Sequence, residues 1–498
     1  MLPKLLVIIS CCGPVFCLNP SIIIIGSGPS GIAAATRLWK ANFTNLRILE
    51  AEPRIGGRVN SVKFGDGYVD LGGEWCHGEK DNIVYEMVKE YHVLKHRNIS
   101  YKLVYSNGSY LDATVFEELL NFFDLVDASA VGPQERICKN FTSVGNCFDK
   151  QFSAIFRRKF GDNSEKLNVS LEATDWLKSY MLGFDSPSSL YDLYVKSDYK
   201  KCEGDLFLSW DGRGYKTILE VMMQKFPDPS KQLPLDADIL LNKEVDKITW
   251  KNSDKGRVSV RCSDNSSFEA DHVIFTPSLG VLKATYEQMF EPSLPEEKVK
   301  TIRSTGFGAI LKLILHFPET WWNPQEALAL VWSTEDKNKI ATEFGKGPVK
   351  NGSSWLTTLA AIEIAENNPK VLIIFFAGSM IPEIERENNE VLMEGLIYTF
   401  RKFFGHRYSV IAPDQMMKTT WYSNPHFHGT FSYDSIDGNS VEHKFPDKLA
   451  APLTAGNGTP VVQFAGEATH PHYFSTVHGA IETGYREADR LINLYANK

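Results

Sequence analysis

The hydrophobic pattern of the chain predicts a strand, a helix and a second strand in immediate succession. Four consecutive isoleucines, Ile22–Ile25, are followed by glycines and serines, and such an apolar run is typical of a strand buried on both faces. Residues 32–40 are predicted to be helical, and Leu46–Leu49 forms another short apolar run that ends at Glu50. This order of elements is the one that dinucleotide binding requires.

The segment between the first strand and the helix, residues 26–31, has the spacing G-x-G-x-x-G. Gly26 permits a tight turn, Gly28 lets the backbone approach a pyrophosphate, and Gly31 lets the helix pack on the strand. The helix N-terminus offers free N–H groups to phosphates, and Glu50 can accept hydrogen bonds from ribose hydroxyls. We therefore assign cofactor binding to Gly26, Ser27, Gly28, Ser30, Gly31 and Glu50. A degenerate turn that binds nothing is the alternative.

A second glycine pair just past Glu50 favours FAD over a nicotinamide cofactor. Gly56 and Gly57 allow close approach of the backbone, and Arg58 can pair with a phosphate. A nicotinamide enzyme has no need of these residues, whereas FAD is longer and must be held along its whole length.

Five further segments carry a resemblance to one family of flavoproteins. They are residues 71–78 (LGGEWCHG), 273–283 (VIFTPSLGVLK), 306–312 (GFGAILK), 464–470 (FAGEATH) and 475–480 (STVHGA). With these residues the chain resembles the flavin-containing amine oxidases, and within them the polyamine oxidases, which include spermine oxidase and acetylpolyamine oxidase. The resemblance covers nearly everything after the first 20 residues.

The resemblance implies an α/β fold with a Rossmann-like FAD-binding domain and a mixed α+β substrate-binding domain. Residues 18–102, 240–305 and 441–498 are expected to form the discontinuous FAD-binding domain. Residues 103–239, largely helical from 112 to 226, and residues 306–440 are expected to form the substrate-binding domain. Apolar runs at 311–317 and 370–376 predict strands in that domain. The active site is expected between the two layers.

Two residues are expected to act in the reaction. Lys312 stands alone among apolar residues on a predicted strand, where an edge lysine that points to water is the ordinary interpretation. The resemblance implies instead that Lys312 holds a water molecule beside flavin N5. His77 matches the W-x-H motif of the polyamine oxidases, which implies that it orients or deprotonates the substrate amine. A packed histidine that satisfies backbone groups is the alternative.

The remaining cofactor residues are implied by the resemblance alone. Glu467 matches the second FAD carboxylate of the family, with a helix-capping glutamate as the alternative, and the backbone of Val245 would meet the adenine. Thr476 and Val477 would open the last helix, whose N-terminus faces the pyrimidine side of the flavin. Arg58, Gly73, Glu74, Trp75 and Trp421 complete the set. No metal site is predicted.

Two positions favour the polyamine branch over the monoamine branch. Phe431 is expected to form one wall of the substrate channel, and the monoamine oxidases have a second aromatic wall where this chain has Thr476. They also attach flavin covalently through a cysteine where this chain has Thr430, so non-covalent FAD is expected.

Recognition of a polyamine needs carboxylates or aromatic faces for its remote ammonium groups. Glu203 and Asp205 lie near the segment where the family has channel residues, and we expect them to bind substrate. A solvated loop with ordinary charges is the alternative.

Composition limits the partners and the number of domains. The chain has 498 residues, too many for one core, so two or three domains are expected. A hydrophobic content of 43% with 23% charged residues is ordinary for a soluble globular protein. The net charge of −8 disfavours nucleic acid and weakly suits a cationic ligand, although plain solubility also explains it.

Residues 1–17 are expected to form a signal peptide, because a lysine precedes an apolar run too short to span a bilayer. No second hydrophobic span is evident, so a protein without a membrane span is expected. Cys138 and Cys147 could pair in an oxidising compartment. Eight N-x-S/T sequons support secretion, at Asn42, Asn98, Asn107, Asn140, Asn168, Asn265, Asn351 and Asn457.

The expected activity is that of a secreted polyamine oxidase. A hydride would pass from the carbon beside a secondary amine of spermine or an N-acetylpolyamine to the flavin. The products would be an aldehyde, a shorter amine and, with molecular oxygen, hydrogen peroxide. An L-amino-acid oxidase would need an arginine over the flavin. A histone demethylase is disfavoured by the signal peptide and by the lack of a long coiled-coil insertion. A flavin-binding secreted protein without turnover is disfavoured by Lys312 and His77.

Overall fold

The computed structural model describes residues 19–97, 100–127, 137–162, 164–250, 257–439 and 445–496. Its strands are β1 (Ile22–Ile25), β2 (Leu46–Leu49), β3 (Ser61–Phe64), β4 (Gly67–Asp70), β5 (Ser100–Tyr105), β6 (Ile239–Leu240), β7 (Val245–Thr249), β8 (Val258–Cys262), β9 (Ser267–Ala270), β10 (His272–Phe275), β11 (Phe290–Glu291), β12 (Gly306–Gly308), β13 (Ile310–His316), β14 (Glu326–Val331), β15 (Val349–Lys350), β16 (Ser353–Ser354), β17 (Leu359–Ile364), β18 (Val371–Ala377), β19 (Gln415–Lys418), β20 (Phe431–Tyr433), β21 (Leu453–Thr454) and β22 (Pro460–Phe464).

The α-helices are α1 (Pro29–Lys40), α2 (Ile83–Val88), α3 (Ala113–Val126), α4 (Val144–Phe160), α5 (Glu165–Glu172), α6 (Thr174–Asp185), α7 (Thr217–Met222), α8 (Leu279–Met289), α9 (Glu296–Ser304), α10 (Thr334–Glu343), α11 (Ile381–Arg386), α12 (Asn389–Phe404), α13 (Ile436–Asn439), α14 (Phe445–Ala450) and α15 (Val477–Ala496). Short 3₁₀ helices lie at Lys89–Tyr91, Pro229–Lys231, Asp236–Asp238, Trp355–Thr358 and Glu467–Thr469.

Strand β1 lies inside a six-stranded sheet with the order β21-β22-β10-β1-β2-β6. It pairs in parallel with β10 on one side and with β2 on the other. Ile22 and Ile24 pack into the cluster that contains the apolar side of α1, whereas Ile23 and Ile25 pack with the mixed sheet β11-β7-β8-β9. The predicted buried strand is confirmed, and its four isoleucines follow from burial on both faces.

Helix α1 begins at Pro29, earlier than the apolar run suggested, because proline suits the first helical position and has no N–H to leave unpaired. The C-terminal helix α15 packs along α1. A Cβ on Gly484 would stand 2.2 Å from the carbonyl oxygen of Ser30, so the two helices approach closely at a glycine. The C-terminal helix α15 therefore belongs to the same helical layer as α1.

A second six-stranded sheet, β19-β13-β18-β17-β14-β5, forms the other domain. Strand β13 pairs with β18 and with β19, so it is an interior strand. Helices α3 to α6 pack in an aromatic cluster against part of this sheet, so the helical character predicted for residues 112–226 holds as far as Asp185, whereas residues 186–216 contain no helix. Strand β5 pairs with β14, so the boundary expected after residue 102 falls inside a strand of this second sheet.

Cys138 and Cys147 form a disulfide, while Cys76, Cys202 and Cys262 are buried free thiols. Among the residues that the structure describes, no helix combines the length and the apolar character needed to cross a bilayer. In the same described ranges, no group of histidine, cysteine and acidic side chains is arranged to hold a metal ion. Residues 1–17, expected to be a signal peptide, lie outside the described residues.

Candidate active site

A cavity of about 460 Å³ lies between the two six-stranded sheets and is lined by residues of both. Gly26, Gly28, Ser30, Glu50, Arg58, Gly73, Glu74, Trp75, Val245, Trp421, Glu467, Thr476 and Val477, all assigned to the cofactor from the sequence, line it, together with His77, Lys312 and Phe431. Phe184 also lines the cavity and is 41% exposed, so the cavity opens to the surface there.

The glycine-rich turn has the geometry that a pyrophosphate needs. Gly26 adopts φ +95°, and a Cβ on Gly31 would stand 2.0 Å from the carbonyl oxygen of Gly26, so a side chain would push α1 away from the turn. The N-terminus of α1 carries no side-chain cap, which leaves its N–H groups available to an anion. Gly31 therefore acts through packing and does not itself line the cavity.

Glu50 is held in place by Ser27 of the glycine-rich turn. Its Oε2 accepts hydrogen bonds from the backbone N and the Oγ of Ser27, at 2.7 and 2.6 Å, and its Oε1 accepts from the backbone N of Glu52 at 2.9 Å. Ser27 thus orients the carboxylate from outside the cavity wall, and Oε1 keeps one acceptor position for a hydroxyl.

Arg58 and Glu467 form a partly buried ion pair at 2.9 Å, and both line the cavity. Arg58 Nη1 also donates to the carbonyl oxygen of Thr430 at 2.6 Å. Glu467 Oε2 accepts from Ser432 Oγ at 2.6 Å and from the backbone N of Ser475 at 2.8 Å. Glu467 joins three separate segments, so its role exceeds that of a helix-capping glutamate.

Three more segments complete the wall around the expected flavin position. Trp421 donates through Nε1 to the carbonyl oxygen of Leu71 at 2.8 Å, and Trp75 stacks on Phe375 with ring centroids 5.9 Å apart. Thr476 Oγ1 accepts from the backbone N of Gly479 at 3.0 Å and caps the N-terminus of α15, as its position in the sequence predicted.

Lys312 is an interior lysine whose Nζ is fully engaged. It donates to the carbonyl oxygens of Asp70 and Gly72, at 2.8 and 3.0 Å, and to Glu74 Oε2 at 2.7 Å. Three acceptors surround Nζ, so its N–H donors are all engaged within the protein. The strand on which it lies is not an edge strand, which removes the ordinary interpretation of an edge lysine in water.

The ring of His77 is oriented by the backbone. Its Nδ1 lies 2.5 Å from the carbonyl oxygen of Leu206, which must accept a proton from Nδ1. The neutral ring therefore has an unprotonated Nε2 with a free lone pair. Burial lowers the pKa of His77 and outweighs the opposing effect of the Leu206 carbonyl, so the neutral ring is favoured.

Carboxylates that the sequence analysis did not single out line the same cavity. Asp127 pairs with Lys201 at 2.7 Å, and Asp185 has no hydrogen-bond partner among the described residues. Burial raises the pKa of Asp185 to about 7, with further contributions from the negative charges of Asp127 and Asp434 and an opposing one from Lys201. Asp127 follows α3 and Asp185 ends α6. Because the two residues are far apart in the sequence, no short motif marks them.

The structure does not bring Glu203 and Asp205 to the cavity, contrary to the expectation from the sequence. Glu203 is an exposed side chain that pairs with Lys80 at 2.8 Å. Asp205 lies 2.9 Å from His96 Nδ1 and accepts from the backbone N of Phe207 at 2.8 Å, so it holds a loop together. The neighbours Leu206 and Phe207 are the residues of this loop that line the cavity.

Residues 29–492 match the family described as flavin containing amine oxidoreductase, and the chain belongs to that family. It is similar to the human peroxisomal N(1)-acetyl-spermine/spermidine oxidase, with 29% identity over 96% of each chain. It is also 28% identical to the probable polyamine oxidase 5 of Arabidopsis thaliana, over 95% of this chain and 98% of that one. A solved structure of a putrescine oxidase triple mutant with redesigned cofactor binding shares the fold, with a TM-score of 0.63, 16% identity and coverage of 95% and 99%.

The protein is thus a flavin-dependent amine oxidase, and its resemblance to the polyamine oxidases is confirmed. The residues present fit the flavin cofactor that the family implies. The uncapped start of α1 and the glycine turn suit a pyrophosphate, Glu50 suits a ribose, and the start of α15 suits the ring system.

Proposed function

We propose that the protein is a secreted oxidase that uses non-covalently bound FAD to oxidise polyamines. The observation that carries this proposal is the joint presence in one cavity of Lys312, His77 and Asp185, a carboxylate without a hydrogen-bond partner among the described residues. A carboxylate left free beside an apolar wall suits a ligand that carries positive charge at a distance from its reacting carbon. The names of the curated relatives point to the same class of substrate.

His77 prepares the amine for oxidation. Carbon gives up a hydride readily only when the neighbouring nitrogen has a free lone pair, and a polyamine in neutral water is mostly protonated. Because Nδ1 is committed to Leu206, Nε2 can accept a proton or a hydrogen bond from the reacting nitrogen. FAD, when bound, supplies the acceptor for the hydride.

The far end of the substrate meets acidic and aromatic side chains. Asp185 and Asp127 line the cavity beside Phe184, and Lys201 forms its ion pair with Asp127. Tyr180 stands next to Phe184, with ring centroids 5.1 Å apart, and offers a second aromatic face to an ammonium group. This end can therefore hold a remote cation while His77 and Lys312 act on the near end.

An amino-acid oxidase is less well supported, because its substrate carboxylate needs a cationic clamp. Among the described residues that line the cavity, Arg58 is the only arginine, and it is committed to Glu467 and Thr430. The nearby Arg97 is buried against Glu363 at 2.5 Å. Lys201 pairs with Asp127. The cavity therefore favours a cationic substrate over an anionic one.

Secretion is supported by the surface of the protein. All seven described sequon asparagines are exposed: Asn42, Asn107, Asn140, Asn168, Asn265, Asn351 and Asn457. Asn98 lies outside the described residues. The disulfide between Cys138 and Cys147 suits an oxidising compartment, and glycans at exposed asparagines would not disturb the fold.

Non-covalent attachment is supported by the cavity wall, which contains no cysteine among its described residues. Thr430 stands where the resemblance implies a cysteine in the monoamine branch. Its Oγ1 donates to the carbonyl oxygen of Gly308 at 3.2 Å, and a threonine cannot form a thioether to flavin. Acid denaturation should release all of the yellow cofactor into the supernatant.

The proposal is tested by mixing the purified holoenzyme anaerobically with spermine, N1-acetylspermine, benzylamine and leucine while flavin absorbance is recorded. We expect rapid bleaching by one of the two polyamines and none by the other compounds. Bleaching by leucine would move the protein to the amino-acid oxidases. A yellow protein that no amine bleaches would favour a binding protein without turnover.

A further inference from the structure

A second, smaller cavity lies behind the first one and shares part of its wall. Its volume is about 30 Å³, enough for one or two water molecules. Glu74 and Trp75 line both cavities and separate them. The rest of the smaller cavity's wall includes the polar side chains of Tyr68, Asp70, Arg97, Ser209, Trp210 and Glu366. The concentration of polar side chains makes it a cavity for water and not for an apolar ligand.

Trp210 gives independent evidence that this cavity takes a polar occupant. Its side chain is 2% exposed, and its Nε1–H has no acceptor among the described residues. A buried indole N–H without an acceptor costs free energy, and a water molecule in the cavity that Trp210 lines removes that cost.

The two ends of the smaller cavity differ. At the inner end, Glu74 Oε2 accepts a hydrogen bond from Lys312 Nζ at 2.7 Å. At the outer end, Glu366 is half-buried, accepts a hydrogen bond from Ser209 Oγ, and is followed in sequence by the exposed Asn367. Burial raises the pKa of Glu366, which brings the uptake and release of a proton by this carboxyl closer to neutral pH.

We propose that the smaller cavity binds water and that Glu366, this water and Glu74 form a proton route from the surface to Lys312. The route is separate from the substrate cavity, since Glu366 and Trp210 do not line that cavity. This inference rests on the proposed function in one respect, which is that oxygen reoxidises the flavin. Glu74 is then the group that joins the buried water to the active site.

Reduction of one O₂ to H₂O₂ takes two electrons and two protons. The hydride taken from the substrate carries both electrons and one proton, and the second proton comes from the amine nitrogen or from solvent. In enzyme that has been photoreduced without an amine, only solvent can supply it. Lys312 lines the cavity, and Glu74, which accepts a hydrogen bond from its Nζ, can replace a proton that Lys312 gives up.

The test measures reoxidation by oxygen in holoenzyme that has been photoreduced without any amine. We expect Glu366→Gln to lower the rate constant for reoxidation about tenfold, with a larger solvent deuterium isotope effect than the wild type. Glutamine keeps the acceptor for Ser209 but cannot carry the proton. Reduction of the same variant by its amine substrate should keep the wild-type rate.

Glu172→Gln is the matched control, because Glu172 is also half-buried and accepts hydrogen bonds from Tyr105 and from the backbone N of Thr334, outside both cavities. Its rate of reoxidation should equal that of the wild type. A Glu366→Gln enzyme that reoxidises at the wild-type rate, or one in which both half-reactions slow equally, would overturn the proton route.

A crystal structure of the holoenzyme gives the second readout. We expect an ordered water within hydrogen-bond distance of Trp210 Nε1, and its loss or displacement in Trp210→Phe. A dry cavity in the wild type would overturn the water site. Photoreduction needs no amine. If polyamines fail to bleach the flavin, the proposed substrate is refuted, but the reoxidation rates of photoreduced enzyme still test the proton route.

Discussion

The ring Nδ1 of His77 lies 2.5 Å from the carbonyl oxygen of Leu206, which leaves Nε2 of the neutral ring as the acceptor in the cavity. This single contact fixes which ring nitrogen of His77 carries the proton and which one can accept a hydrogen bond. It also makes the active form the uncharged one, because an imidazolium has no lone pair to offer.

The first prediction concerns the pH dependence of His77. Since burial lowers the pKa of His77, the neutral ring should already dominate below the ordinary value of 6.5. The value of kcat/KM with saturating oxygen should therefore rise with pH through an acidic inflection. His77→Ala should remove that inflection and lower kcat/KM about 100-fold. An unchanged pH profile in His77→Ala would assign the inflection to another group.

The second prediction concerns the pair of Lys312 and Glu74. Lys312→Met leaves the partly buried carboxylate of Glu74 without its cation, which costs up to about 3–5 kcal/mol of unfolding free energy and should lower the urea midpoint of the holoenzyme. The double variant Lys312→Met/Glu74→Gln should regain part of the loss. Lys80→Met, which breaks the exposed pair with Glu203, should leave the midpoint unchanged. If the urea midpoint of the double variant stays as low as that of Lys312→Met, Glu74 and Lys312 do not stabilise the fold as a pair.

The third prediction concerns substrate affinity. Asp185→Asn removes a carboxylate from the cavity and should raise KM for a polyamine about 10- to 100-fold, the value of one charge-assisted hydrogen bond. The inhibition constant of a short monoamine used as a competitive inhibitor, which has no remote cation, should change little. Glu203→Gln is the control, since Glu203 is exposed and lies outside the cavity wall. A larger effect at Glu203 than at Asp185 would restore the expectation drawn from the sequence.

The fourth prediction follows from the pKa of Asp185, which is raised to about 7. A raised carboxyl pKa means that the charged form appears only as the pH rises through that value. Binding of a bis-quaternary diamine, whose own charge does not vary with pH, should therefore tighten between about pH 6 and pH 8. In Asp185→Asn the dissociation constant should be flat over this range, and a slope that persists would assign the pH dependence to another group.

The fifth prediction concerns the glycine turn. A Cβ on Gly31 would stand 2.0 Å from the carbonyl oxygen of Gly26, so Gly31→Ala should displace α1 from the turn and yield protein with little bound flavin. Gly456→Ala is the control, because a Cβ there meets nothing within 4 Å. The ratio of flavin absorbance to protein absorbance measures the outcome. Full occupancy in Gly31→Ala would contradict the close packing.

The strands of the first domain were predictable because their signal is local. The bounds of β1 and β2 agree with the apolar runs Ile22–Ile25 and Leu46–Leu49, and Gly26 has the positive φ that a tight turn needs. The loop around Asp205 shows the opposite case. The family resemblance suggested a channel residue, yet Leu206 and Phe207 line the cavity and Asp205 pairs with His96.

The sequence by itself determined the dinucleotide-binding turn, whose residues have a fixed spacing, and the family resemblance, which singled out Lys312 and His77 as candidates. Only the tertiary structure decided that Lys312 lies on an interior strand and that Asp127 and Asp185 line the flavin cavity. Those relationships join the ends of helices α3 and α6 to a sheet far along the chain. They arise from packing of apolar faces, which local residue patterns do not record.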